Sequence, residues 1–175
     1  MKRVKYVIGN WKMNGNLSSI RLVKNLDKFI KKSRKNLPKV IICPPFTIID
    51  RLIVAKLKNI DYGAQDIYNA ENGAFTGSIS GSMIKDIGCK YVIIGHSERR
   101  QYQKETVTDL RKKIEIAINN DLSVIFCIGE NFSEIEKRSN ILKNQLKSLP
   151  KNFNCKKIII AYEPVWAIGT GLTPS

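Results

Sequence analysis

Four polar side chains stand at or within three residues of the end of apolar, β-branched runs of this 175-residue sequence. Glu163 follows KIIIAY, His96 follows YVIIG, and Lys12, with Asn10, follows YVIG. A carboxylate leaving an apolar strand, expected to be buried there, is suited to act as a base. His96 is the sole histidine. It precedes a serine that is expected to cap a helix, and a helix N-terminus disfavours imidazolium. His96 is therefore expected to stay neutral and to donate a hydrogen bond. Lys12 offers a fixed cation to an anionic substrate or a developing oxyanion. Asn10 shares its strand phase and is expected to face the same site. Behind Glu163, Pro164 stiffens the strand exit. The segment Val165 to Ile168, bracketed by Gly169 and Gly171 at its far end, is expected to close over a substrate, with the Gly169 amide available to a phosphate. Taken singly, these residues read as an exposed loop lysine, a structural histidine and an ordinary strand-to-helix loop. Taken together, they supply a base, a neutral electrophile and a cation. That set fits proton abstraction beside a carbonyl with stabilisation of an enediolate, and needs no metal or organic cofactor.

The set is useful only if the fold brings strand ends together. Six nearly continuous apolar segments predict parallel strands buried on both faces: 5–9, 40–43, 60–64, 91–95, 123–128 and 157–161. Helical spacing connects them. Leu22, Val23, Leu26, Phe29 and Ile30 follow a start at Ser18–Ser19. Thr47 is expected to cap a helix carrying Ile48, Ile49, Leu52 and Ile53. Thr106 with Asp109, and Ser133 with Glu136, have capping-box spacing. The strand-helix unit recurs every 20–35 residues or so, the size of a βαβ step. Serial units of this kind build either a doubly wound sheet or a closed (β/α)8 barrel, and periodicity does not choose between them. Both place function at the C-terminal ends of the strands. No GxGxxG follows the first strand and no GxxxxGK[ST] occurs, so the common nucleotide-binding versions lack support.

Composition narrows the classes. At 43% hydrophobic and 26% charged, this is ordinary globular usage in which a single domain spanning 1–175 is expected. No apolar run reaches the ~18 residues of a membrane span, and the basic start lacks the apolar stretch of a signal peptide. A cytoplasmic location is expected. The four cysteines form no CxxC pair and have one histidine for company, so reduced, mostly buried thiols are expected. The net charge of +15 raises nucleic acid as a partner. The lysines, however, lie along helical segments without an aromatic-basic motif, so neither nucleic acid nor membrane is expected as a partner. A positive field would still attract a small anion.

Longer stretches carry a family resemblance. GNWKMN, CPPFT, ENGAFTG, YVIIGHSERR, CIGE and AYEPVWAIGTG occur in the order found in triosephosphate isomerases, and the resemblance runs from about Tyr6 to Gly171. It implies a (β/α)8 barrel, of which this chain supplies about the first six β/α units. It also implies interconversion of dihydroxyacetone phosphate and D-glyceraldehyde 3-phosphate, in glycolysis and gluconeogenesis. Carried over by motif, Glu163 is the base and His96 the electrophile. Lys12 and Asn10 bind substrate, and Gly169 donates its amide to the phosphate. Ser97 and Glu98 are supporting residues, with Glu98 expected to pair with Lys12. Cys127 packs near the base. The family is homodimeric, ENGAFTG resembles the loop that enters the partner subunit, and Thr76 is the implied contact.

A complete barrel takes about 250 residues. Thr173–Pro174 reads as the start of a further helix. The expectation is therefore a truncated or partial chain, lacking the last two units and their phosphate-binding loops, with little isomerase activity by itself. The alternative is an inactive barrel fragment that acts at most as a binding or interaction module.

Overall fold

The computed structural model describes residues 4–33, 37–152, 154–167 and 170. Its strands are β1 (Tyr6–Asn10), β2 (Lys39–Cys43), β3 (Ile60–Ala64), β4 (Tyr91–Ile94), β5 (Ser123–Ile128) and β6 (Ile158–Tyr162). Each differs from the sequence expectation by a residue at most. The helices are α1 (Ile20–Lys32), α2 (Phe46–Val54), α3 (Gly81–Asp86), α4 (Ser97–Tyr102), α5 (Val107–Asn119) and α6 (Arg138–Leu146).

All pairings are parallel, and the strand order is β1-β2-β3-β4-β5-β6. This order decides what periodicity left open. A doubly wound sheet reverses its order at a switch point. Here each strand is added beside the previous one, in one direction, which is the winding of a (β/α) barrel. The described strands form six staves of such a barrel.

The continuous apolar runs are explained by two cores. Alternate residues Ile42, Tyr62, Val92, Ile94, Val124, Phe126 and Ile128 face outward and pack with Leu52, Ile84, Leu110 and Ile114 of the helices. The intervening residues Ile41, Cys43, Tyr91, Ile93, Ile125 and Cys127 form an inner layer, joined by Ile8, Ile159 and Ala161. Gly63 belongs to that inner layer, where a Cβ would stand 2.8 Å from Cys43 Sγ and 3.0 Å from Tyr91 Cβ. Strand phase thereby carries Ile8 on to Asn10, and Ile159 and Ala161 on to Glu163.

The helix starts expected at Thr47 and Ser133 differ in the structure. Thr47 is not a cap, because α2 begins one residue before it and the Pro45 carbonyl accepts the first turn's Ile48 N–H at 3.2 Å. Ser133 and Glu136 do not form the expected box. The same spacing is used two residues earlier, where the Glu134 carboxylate accepts from Asn131 N–H at 2.9 Å at the start of a 3-10 turn, Phe132–Lys137. The Thr106–Asp109 box forms as expected. Residues 173 and 174, read as a further helix start, lie outside the described residues.

Cys43, Cys89 and Cys127 are buried, and Cys155 is exposed. Burial pushes each of the three buried thiols up to about 12. At pH 8 a soluble alkylating reagent should modify Cys155 rapidly, while the other three react only on unfolding. Mass spectrometry of labelled peptides checks this, and equal labelling of Cys127 in folded protein would contradict it.

Candidate active site

The strand ends meet on one rim, and four charged or titratable side chains form a line along it. Lys12 Nζ lies 2.6 Å from Glu98 Oε1. Glu98 Oε2 lies 3.5 Å from His96 Nδ1, and His96 Nε2 lies 3.6 Å from Glu163 Oε2. The expected Lys12–Glu98 pair is thus present.

Each member is set by local structure. Lys12 has φ 52°, in the left-handed region, where a side chain costs ~1–2 kcal/mol. Two hydrogen bonds hold that backbone, and a third ties the same Gln65 amide to β2. Asn10 Oδ1 accepts Lys12 N–H at 2.9 Å, and Gln65 Nε2 donates to Lys12 O at 2.8 Å and to Cys43 O at 2.9 Å. Strain maintained by surrounding contacts is a common mark of functional positions.

His96 would point outward on strand phase, in step with Val92 and Ile94. Gly95, at φ 73°, breaks that phase. A Cβ there would also stand 2.7 Å from Arg100 Nη2. Arg100 secures the turn, donating to Gly95 O at 2.7 Å and to Cys127 O at 3.1 Å. His96, not Ser97, caps α4: its Nδ1 accepts the Glu98 N–H at 3.3 Å. A ring nitrogen that accepts a hydrogen bond carries no proton, so the ring proton of this neutral tautomer sits on Nε2. That N–H faces Glu163. His96 is buried, at 5% exposure. Ser97 lines a cavity of about 360 Å³ that also touches Glu163.

Glu163 departs from expectation. Its side chain is 46% exposed, because it stands one residue beyond the end of β6 on the open rim. Its backbone is firmly fixed. Glu163 N–H donates to Ile128 O at 2.8 Å and Val165 N–H to Glu130 O at 2.9 Å, which extends the β5–β6 ladder. Between those bonds sits Gly129, where a Cβ would stand 1.9 Å from the Glu163 carbonyl oxygen. Behind it, Glu130 is fully buried and accepts from Tyr162 Oη at 3.0 Å and Trp166 Nε1 at 3.1 Å. The expected covering segment therefore starts as a 3-10 turn, Val165–Ala167, tied to the β5 exit. Ile168, Gly169 and Gly171 lie outside the described residues.

Three further residues are placed as follows. Cys127 sits in the inner layer, its thiol raised by burial and then by the nearby Glu163 charge. Thr76 is exposed on its loop. Arg99 pairs with Asp66 at 2.8 Å and Glu105 at 2.7 Å, which is a packing role. Sequence reasoning passed over Gln65, Glu130 and Arg100 as organisers of the rim. The CIGE motif was the available signal for Glu130. Among the described residues no cluster of metal-ligating side chains occurs, and no helix is long and apolar enough to cross a membrane.

Gly129→Ala should cost about 1–3 kcal/mol, since the new methyl meets backbone rather than a movable side chain. Denaturant unfolding checks this, and an unchanged midpoint would contradict the tight β5–β6 exit.

A family model described as triosephosphate isomerase matches residues 5–175. The triosephosphate isomerase of Moorella thermoacetica is 42% identical over 175 residues, covering 95% of this chain and 69% of the relative. That of Bacteroides fragilis is 43% identical over 181 residues, covering 99% and 71%. The crystal structure of triosephosphate isomerase from Bartonella henselae superposes with a TM-score of 0.87 at 37% identity, covering 93% of this chain and 68% of that one.

Proposed function

This chain belongs to the triosephosphate isomerase family, and we propose that it interconverts dihydroxyacetone phosphate and D-glyceraldehyde 3-phosphate through an enediolate. The carrying observation is the line Lys12–Glu98–His96–Glu163, which sets a base opposite a ring N–H with a cation farther along the rim.

Glu163 takes the proton from the carbon beside the carbonyl and returns it to the neighbouring carbon. The 3.6 Å between Glu163 and His96 is too long for a direct hydrogen bond. Each group therefore keeps its polar atom available to a substrate on the rim. The His96 Nε2–H donates to the oxygen on which negative charge develops. Lys12 supplies positive charge to the oxyanion and the phosphate, and Asn10 binds substrate beside it. Glu98 supports both Lys12 and His96, and Ser97 lies next to the base. The Gly169 amide is assigned to the phosphate from its place in the AYEPVWAIGTG motif. Val165 to Ala167 begin a cover that keeps water from the enediolate, which otherwise expels phosphate. The chemistry is confined to proton transfers and uses no cofactor.

The partner assignments follow the family motif. Thr76, in ENGAFTG, is proposed to meet a second copy in a homodimer, and the reaction is placed in glycolysis and gluconeogenesis in the cytoplasm. One barrel domain is proposed for the whole of 1–175.

The family match does not favour the inactive fragment that chain length led us to expect, so purified protein should convert D-glyceraldehyde 3-phosphate to dihydroxyacetone phosphate in a coupled assay. Glu163→Asp and His96→Gln should each lower kcat by about 100-fold or more, with circular dichroism and thermal midpoint largely kept. Unchanged kcat in either variant removes the role assigned to that residue, and an inactive parent protein overturns the reading.

A further inference from the structure

We propose that Gln145, on α6, is a positioning residue for Glu163, acting through the peptide backbone of Gly129; its catalytic meaning rests on the role of base assigned to Glu163 above. Gln145 Oε1 accepts the Gly129 N–H at 2.9 Å, and Gln145 Nε2 donates to Gly129 O at 2.7 Å. One side chain thus satisfies both polar groups of one residue.

Gly129 needs such a partner. It lies just past Ile128, the last residue of β5 paired with β6. The bonds that continue toward Glu163 and Val165 come from the carbonyls on either side, Ile128 and Glu130. The amide and carbonyl of Gly129 itself go to Gln145, which takes the place of a missing strand. A primary amide is the side-chain group that offers a donor and an acceptor at the required spacing. A carboxylate supplies only acceptors, and a thioether of the same length supplies neither strong function.

Movement at Gly129 reaches Glu163 directly. The missing side chain at Gly129 leaves its backbone against the Glu163 carbonyl, where an added Cβ would be 1.9 Å away. Gln145, Gly129 and Glu163 line the same cavity of about 360 Å³. Support of α6 as such does not require the amide. Leu142, Leu146 and Leu149 already pack that segment on the outer core. The double hydrogen bond is therefore specific to the β5 exit.

The test uses purified protein with Gln145→Met, which keeps length and loses both bonds, and Gln145→Glu, which keeps the acceptor alone. With D-glyceraldehyde 3-phosphate as substrate, Gln145→Met should lower kcat by about 10- to 100-fold, and Gln145→Glu should fall between it and the parent. KM should stay within about twofold, since substrate-binding groups are untouched. The share of substrate lost as inorganic phosphate should rise, because a displaced base returns the proton more slowly. A second readout needs no activity. By NMR, amide hydrogen exchange at Glu163 should quicken by about 10-fold or more in Gln145→Met, while Ile125, deep in β5, keeps the parental rate. Unchanged kcat with unchanged Glu163 exchange overturns the proposal. So does equal acceleration at Ile125 and Glu163 with a lowered thermal midpoint, which marks general destabilisation. Should the parent protein fail to isomerise, the exchange result decides the coupling by itself, and only the isomerase reading falls.

Discussion

Parallel strands laid side by side in chain order must all end on the same rim. Everything at the candidate site depends on that constraint. β1, β4 and β6 are distant in sequence and not neighbours in the sheet, yet their exits deliver Lys12, His96 and Glu163 within a few ångströms of a common line. The alternation of side chains between the two cores is also what aims the last residue of a strand. Ile8 leads to Asn10, and Ala161 leads to Glu163, on the inner phase. His96 reaches the line by a different device, the left-handed Gly95, which steps out of the strand phase and lets the imidazole become the cap of α4.

Glu98 links the two ends of the rim electrostatically. One oxygen holds the Lys12 ammonium and the other stands near His96 Nδ1, while the Glu98 amide donates to that same nitrogen. That amide hydrogen bond orients the ring with Nε2 toward Glu163. A neutral ring suits the proposed chemistry, because a donor that does not carry a full charge can give and recover a proton without forming a stable ion pair with the base. The strained Lys12 backbone and its two restraining hydrogen bonds serve the same end, a fixed cation whose position does not depend on the substrate.

Much of this was legible from one sequence. Uninterrupted β-branched runs located the strands because a barrel stave is buried on both sides, and the polar residue at each exit stood out against them. Periodicity did not show strand order, since it is the same in a doubly wound sheet; the family motifs implied a barrel, and the pairing of each strand with its predecessor bears that out. Caps at Thr47 and Ser133 were misplaced for a local reason. Pro45 and the Asn131–Glu134 pair offered earlier starts that the helices took. The exposure of Glu163 was missed because the strand's apolar character does not extend one residue past its end. Gln65 and Gln145 bond backbone groups, and the Glu130 side chain bonds the Tyr162 and Trp166 side chains, all distant in sequence, so no local pattern reveals them. Glu130 alone left a trace, within CIGE.

The central claim is that Glu163 moves a proton between adjacent carbons of a triose phosphate. The most direct test runs the reaction of dihydroxyacetone phosphate in deuterium oxide and reads the product by NMR. The account predicts deuterium at carbon 2 of D-glyceraldehyde 3-phosphate, because a carboxylic acid on an open rim exchanges its proton with solvent, and it predicts loss of that incorporation in Glu163→Gln. Isomerisation without deuterium in the product, or incorporation that persists in Glu163→Gln, would contradict it.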